Sequence, residues 1–180
     1  MTESGILGAR SYVVMGVAGT GKSTVGSALA LALGLAFVEG DAYHPARNVQ
    51  RMAAGIPLTD ADRSPWLNAL AARLQEAEHA GTGLVMACSA LKRAYREQLR
   101  GGAAGVTFIY LHGDRELLAR RLAQRHQHFM PASLLESQLA ALEPPTPDEG
   151  AWTYDISLSP RAIVASLVER IGASKEATLP

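Results

Sequence analysis

The stretch "YVVMGVAGTGKSTVGSALALALG", positions 12–34, constrains this chain more than any other. A short β-branched apolar run ends in glycine, turns, and passes into good helix formers closed by Gly34. The residues Gly16 to Ser23 fit G-x-x-x-x-G-K-[ST] in full, and they lie between a predicted strand and a predicted helix, the context that gives this pattern its physical meaning. Gly16, Gly19 and Gly21 let the backbone curl, so that successive N–H groups, those of Val17, Ala18 and Thr20 among them, face inward and cradle phosphate. The helix N-terminus adds partial positive charge. Lys22 reaches the β- and γ-phosphates, the Ser23 hydroxyl is placed to ligate Mg²⁺, and Thr24 joins the nucleotide contacts from the first helical turn. A glycine-rich turn that matches by chance is the bland alternative, and the strand-to-helix setting counts against it. The chain is therefore expected to bind a nucleoside triphosphate.

The rest of the chain alternates in the same way. Strands are predicted at 35–41, 83–89, 106–111 and within 152–159, and helices at 45–55, 90–100, 132–142 and 160–172. A longer helix runs from Asp60 or Ser64 to His79, and another from Asp114 to about Arg125, before an irregular break at 125–131. Alternation of this kind implies βαβ crossovers: an α/β fold with a five-stranded parallel sheet and helices on both faces. A chain of 180 residues suits one domain, spanning 1–180, with a polar insertion at about 42–80. Open parallel sheets bind ligands at the carboxyl ends of their strands. That rule gathers residues near 16–23, 40–44, 88–92 and 112–114 around one crevice.

Composition excludes several classes. Formal net charge is zero, which argues against a broad nucleic-acid footprint and against a polybasic membrane anchor. The longest apolar run, "ALALALGLAFV", is far short of the ~18 residues of a membrane span. The opening "MTESGILGAR" has no long apolar core, so no signal peptide is expected. The single cysteine, Cys88, cannot form an internal disulfide, which suits a cytoplasmic enzyme.

Switch, motor or transferase is the next choice. Neither D-x-x-G nor N-K-x-D of a GTPase switch is present, and the third strand ends in Cys88 and Ser89 rather than in a metal-binding acid. A polar insertion after the second strand and a basic break after the fourth suit a compact P-loop kinase. The expected fold is nucleoside-monophosphate-kinase-like, with an acceptor pocket and a lid at about 125–132. Asp41 closes the second strand beside the phosphate loop. A carboxylate there can accept a proton from an attacking hydroxyl, orient that hydroxyl, or hold a water on Mg²⁺; its alternative is a solvated helix cap. His44 and Arg47 follow within a turn and read equally well as a cap and a surface cation. Arg63 has two aspartates nearby to position it, and Trp66 reads as core rather than as a stacking platform. In "RRLAQRHQHF", Arg125 is the first choice for a lid cation over the transferring phosphoryl group, while Arg121 is placed to stack on adenine or touch phosphate. His126 and His128 are spaced as a metal pair but lack a third ligand nearby.

These segments carry a resemblance. "GDAYHPARNVQRMAAGIPLTDADRSPWL", "CSALKRAYREQLR", "FIYLHGD" and "RLAQRHQHFMPASLLESQLAALEPP" resemble gluconokinases of the small P-loop type, from about Tyr12 to Pro145. Arg51 departs from the lysine of the family pattern, and 125–129 is less basic than in some members. The resemblance implies ATP-dependent phosphorylation of D-gluconate at its 6-hydroxyl, with Mg²⁺, in a homodimer. It makes Arg63, His44, Arg47 and Lys92 candidates for the gluconate carboxylate, and Asp41 and Ser89 candidates for its hydroxyls. Gln138 either closes the pocket from above or faces solvent. The loop near Ser159 to Arg161 is implied as an adenine wall. A P-loop kinase for another small acceptor, such as shikimate or a nucleoside monophosphate, remains open, as does a nucleotide-dependent binding module.

Overall fold

The predicted strands pair into a single sheet in the computed structural model, which describes residues 10–124 and 132–176. They are β1 (Ser11–Met15), β2 (Ala36–Glu39), β3 (Leu84–Ala87), β4 (Val106–His112) and β5 (Trp152–Asp155). The order across the sheet is β2-β3-β1-β4-β5, with every pairing parallel. The helices are α1 (Lys22–Leu33), α2 (Ala46–Ala53), α3 (Asp60–His79), α4 (Arg93–Arg100), α5 (Arg115–Ala123), α6 (Ala132–Ala141) and α7 (Pro160–Glu176). The chain leaves β1 toward one edge and later returns to fill the other, so the carboxyl end of β1 opens into the crevice of such sheets.

Two apolar layers sandwich the sheet. Val13 and Met15 of β1 face one side and pack with Trp66, Leu67, Leu70 and Leu74 of α3 and with Tyr95 and Leu99 of α4. Tyr12 and Val14 face the other and pack with Val25 and Leu29 of α1 and with Ile163, Leu167 and Ile171 of α7. The i, i+4, i+8 spacing on α7 is the stripe a helix needs to cover a sheet face. Burial of both faces explains why β1 reads as a continuous apolar run rather than as an alternation.

Two boundaries beside the site differ from the sequence reading, each for a local reason. The second strand stops at Glu39, and Gly40–Tyr43 forms a 3₁₀ turn, so Asp41 lies just past the strand rather than closing it. Gly40 permits this turn because a Cβ there would run into the carbonyl oxygen of Ala87. The fourth helix starts at Arg93 rather than Ala90. Ala90 has φ +44°, and the carbonyls of Ala90 and Leu91 accept hydrogen bonds from the Arg96 guanidinium at 3.0 and 3.3 Å. The last strand falls within the expected 152–159 stretch and ends at Asp155, whose carboxylate accepts from the N–H of Ser157 at 2.7 Å and turns the chain.

Arg96 and Glu149 form an ion pair whose side chains are both 1% exposed, with Nε–Oε2 at 2.6 Å and Nη2–Oε1 at 2.8 Å. Glu149 belongs to the segment after α6, where Glu143 N–H also donates to the Leu91 carbonyl at 2.8 Å. The pair thereby staples the post-α6 segment to the loop between β3 and α4. At the start of α3, Thr59 and Asp62 close a capping box: Asp62 N–H donates to Thr59 Oγ1 at 3.1 Å and Thr59 N–H to Asp62 Oδ2 at 2.9 Å. This box sets the start of α3 at Asp60 rather than Ser64.

Candidate active site

The loop after β1 is shaped by its own polar groups. Gly16 (φ +144°) has no room for a side chain, since a Cβ would lie 2.5 Å from the Leu111 carbonyl oxygen. Thr20 Oγ1 donates to the Val17 carbonyl at 2.9 Å, and Gly16 N–H to the Ser89 carbonyl at 3.3 Å. Gly21, in the left-handed region, caps α1 without a side-chain hydrogen bond, so the first N–H groups of the helix are not taken by the cap residue. The Lys22 ammonium donates back to the Val17 carbonyl at 3.1 Å, and Ser23 Oγ donates to Glu39 Oε2 at 2.5 Å. The acid beside Ser23 comes not from the end of the third strand but from the last residue of β2, Glu39, which the sequence pattern does not single out.

One pocket joins this loop to the polar insertion. Its walls include Ala18, Gly19, Gly21, Lys22 and Ser23 from the loop and α1, Asp41 and His44 from the 3₁₀ turn, and Met52 and Leu58. Arg63 and Trp66 of α3, Ser89 after β3 and Gln138 of α6 complete it. Gln138 Oε1 accepts from the Ala18 N–H at 2.7 Å, which brings α6 onto the phosphate loop itself. Trp66 is buried, donates Nε1–H to the Gly40 carbonyl at 2.8 Å, and carries the His44 ring on its face. It is core and wall at once.

The cations sort by their partners. Arg63 lines the pocket and donates Nη1–H to Tyr95 Oη at 3.1 Å. Tyr95 in turn donates to Asp60 in a short hydrogen bond. Lys92 pairs with Asp60 at 2.9 Å and lies outside the pocket walls. That bonding raises the Lys92 ammonium pKa, while Tyr95 first and Lys92 second hold the Asp60 carboxyl below its usual value. Arg47 is exposed and pairs with Asp62 at 3.1 Å; Arg51 approaches the same carboxylate at 3.7 Å. The hydrogen bonds from Thr59, ahead of these two cations, keep the Asp62 carboxyl low. His44 is pushed below the ordinary imidazole value by burial; Arg63 adds to this and Asp41 opposes it. Cys88 is buried and its thiol is pushed up to about 12 by that burial, so it is no nucleophile.

Val17 and Thr20 are buried within the loop, and Thr24 is exposed on the first turn of α1, off the pocket. Arg121 donates Nη2–H to the Ile156 carbonyl at 2.7 Å, which ties the end of α5 to the turn after β5. Arg125, His126 and His128 lie outside the described residues. Among the described residues no helix is long and apolar enough to cross a membrane.

A protein-family model described as an AAA domain matches residues 12–145. The gluconokinase of Gluconobacter oxydans (strain 621H) is 50% identical over 164 residues, which cover 91% of this chain and 92% of that protein. The unliganded structure of a sugar kinase from Janibacter sp. HTCC2649 superposes with a TM-score of 0.86 at 45% identity, over 89% of this chain and 93% of that one. A gluconokinase structure from Sinorhizobium meliloti 1021 superposes with a TM-score of 0.80, also at 45% identity, over 92% and 97% of the two chains.

Proposed function

This chain belongs to the gluconokinase family, and we propose that it transfers the γ-phosphoryl group of ATP to the 6-hydroxyl of D-gluconate. One observation carries the reading: the phosphate loop, Asp41 and Arg63 border a single pocket. Phosphoryl transfer needs little covalent chemistry from a protein. It needs both reactants in line and the developing charge met by fixed donors.

In this mechanism Lys22 leaves the Val17 carbonyl for the phosphates, and Gln138 yields the Ala18 N–H to them. Asp41 orients the attacking hydroxyl and accepts its proton. Arg63, held by Tyr95, meets the carboxylate at the far end of the acceptor, with Ser89 and His44 bonding oxygens along the chain. Arg47 and Lys92 are the reserve cations, each now occupied by an aspartate. Arg121 contributes near the base of the nucleotide, and Arg125 covers the transferring group from the lid. Mg²⁺ fits the oxygen pair of Ser23 and Glu39, since hydroxyl and carboxylate oxygens are the ligands this cation takes. When bound, it neutralises charge on the β- and γ-phosphates. A homodimer, as the sequence resemblance implies, and a cytoplasmic location, as the single cysteine suggests, complete the proposal.

The test is ADP release from ATP and Mg²⁺, with and without gluconate, followed by identification of the esterified hydroxyl. The expected result is gluconate-dependent turnover and a 6-phosphate ester. Turnover with shikimate or a nucleoside monophosphate, but not with gluconate, would contradict the assignment.

A further inference from the structure

His44 and Asn48 stand one helical turn apart, and their contacts decide which ring nitrogen of His44 carries the proton. The imidazole lies flat on Trp66, with ring centroids 4.1 Å apart and planes 16° apart. Its Nδ1 faces Nδ2 of Asn48 at 3.4 Å. The orientation of the Asn48 amide is set independently, because Nδ2 also donates to the main-chain carbonyl of Asp62 at 2.8 Å. Turning the amide over would set oxygen against oxygen there. An amide nitrogen has two hydrogens and no acceptor site, so its second hydrogen points to Nδ1, which must accept. Asn48 is 1% exposed, so water does not compete for these bonds, and its Oδ1 has no hydrogen-bond partner among the described residues. The amide is held by its donors alone. On the ring, Nε2 has no hydrogen-bond partner among the described residues, while the ring lines the pocket beside Asp41, Arg63 and Ser89.

We propose that Asn48 locks His44 as the neutral tautomer with its proton on Nε2, making His44 a hydrogen-bond donor to a carboxylate or hydroxyl oxygen of the acceptor. The donor role rests on reading this pocket as the site of a polyhydroxy acid. Asn48 is the positioning residue, since it is buried and does not border the pocket. A proton on Nδ1 would face the amide N–H at hydrogen-bond distance, so the lock excludes both the imidazolium and the other tautomer. Burial of the ring acts in the same direction. The general base must then be Asp41, and the pocket divides its work: Asp41 accepts, His44 donates without charge, and Arg63 donates with charge.

Nitrogen-15 NMR of the histidine-labelled protein tests the lock directly, with the His44 signals assigned by their loss in His44→Gln. The expected spectrum at pH 7 has a protonated Nε2 and a bare Nδ1, and at pH 6.5, the ordinary imidazole value, the ring is still more than half neutral. A proton on Nδ1, or an imidazolium at pH 7, would overturn the proposal. Asn48→Asp offers Nδ1 an acceptor, and the ring proton should move to Nδ1; an unchanged tautomer in the folded variant would refute the lock. Should that variant not fold, the wild-type spectrum decides. The donor role is read from kinetics. A glutamine amide reaches the place of Nε2 and an asparagine amide only that of Nδ1. His44→Asn should raise the gluconate KM by about 10- to 100-fold, the worth of one hydrogen bond to a charged group, and His44→Gln by much less. Equal losses in the two would overturn the donor role. If the wild-type protein failed to phosphorylate gluconate, the acceptor assignment would fall, while the tautomer is still read from a sample containing no acceptor.

Discussion

Asp41 and His44 border the same pocket three positions apart, and in the proposed mechanism Asp41 accepts a hydrogen bond from the acceptor while His44 donates one to it. A carboxylate in a 3₁₀ turn just past β2 can only accept. Asp41→Asn keeps the shape and removes the base, so kcat should fall by ~10²–10⁴-fold while gluconate binding stays within about an order of magnitude. Steady-state kinetics checks this, and a rise in KM alone would reduce Asp41 to a positioning role. Arg63→Ala removes the pocket cation that Tyr95 holds in place. Leaving the acceptor's carboxylate without its partner should cost roughly 2–5 kcal/mol, so kcat/KM for gluconate should drop ~30-fold or more while that for glucose changes little. Among these residues, legibility followed chain distance. Lys22, Asp41 and Ser89 were nameable because strand ends and a loop pattern locate them; Arg63 was nameable from its two neighbouring aspartates, but these pair with Lys92, Arg47 and Arg51, and Tyr95 holds Arg63 instead. That Asp60 would engage Lys92 across 32 positions, or Gln138 the Ala18 amide across 120, lies in long-range pairing that spacing does not encode. Glu39 was hidden because the predicted second strand ran on to Asp41, and only the 3₁₀ turn from Gly40 makes Glu39 its last residue.

At the scale of elements, periodicity and helix punctuation predicted each strand and α-helix among the described residues, and the late start of α4 lies where a side chain captures main-chain groups. Arg96 takes the carbonyls of Ala90 and Leu91 away from helical bonding. Nothing in the run "ALKRAYREQLR" announces that, because Glu149, which holds Arg96, comes 53 residues later. The staple has a pH signature. Bonding to Arg96 first, and also to the Thr146 N–H, holds the Glu149 carboxyl down to about 2 against an ordinary value of 4.5, so its contribution is full above 4.5 and fades as pH falls through about 2. Glu149→Gln leaves the Arg96 guanidinium buried without its counter-charge and should destabilise the protein by ~3–5 kcal/mol at neutral pH. Denaturant melts should show that gap narrowing below pH 4.5. A gap independent of pH would mean the pair stabilises by shape alone. Because the loop it holds carries Ser89 into the pocket, the variant should also bind gluconate less well.

In the whole molecule, the strand order β2-β3-β1-β4-β5 brings the phosphate loop after β1 between the ends of β3 and β4. The 3₁₀ turn after β2 and the α3 insertion then stand over one side of that loop, and α6 reaches it from another through Gln138. A triphosphate site and an acceptor site come together because parallel crossovers return every strand end to the same edge. Arg63 of α3 lines the pocket together with His44, Ser89 and Asp41, and the proposed function makes it the partner of the acceptor's carboxylate, so acceptor preference is the most direct reading of the whole account. The decisive measurement compares kcat/KM for gluconate, glucose and sorbitol under one set of conditions. The three share a hydroxyl chain, and only gluconate has the carboxylate. The account predicts efficient phosphorylation of gluconate and at least ~30-fold lower kcat/KM for the two uncharged acceptors, the cost of leaving the half-buried Arg63 without its anionic partner. Comparable values for glucose and gluconate would contradict it.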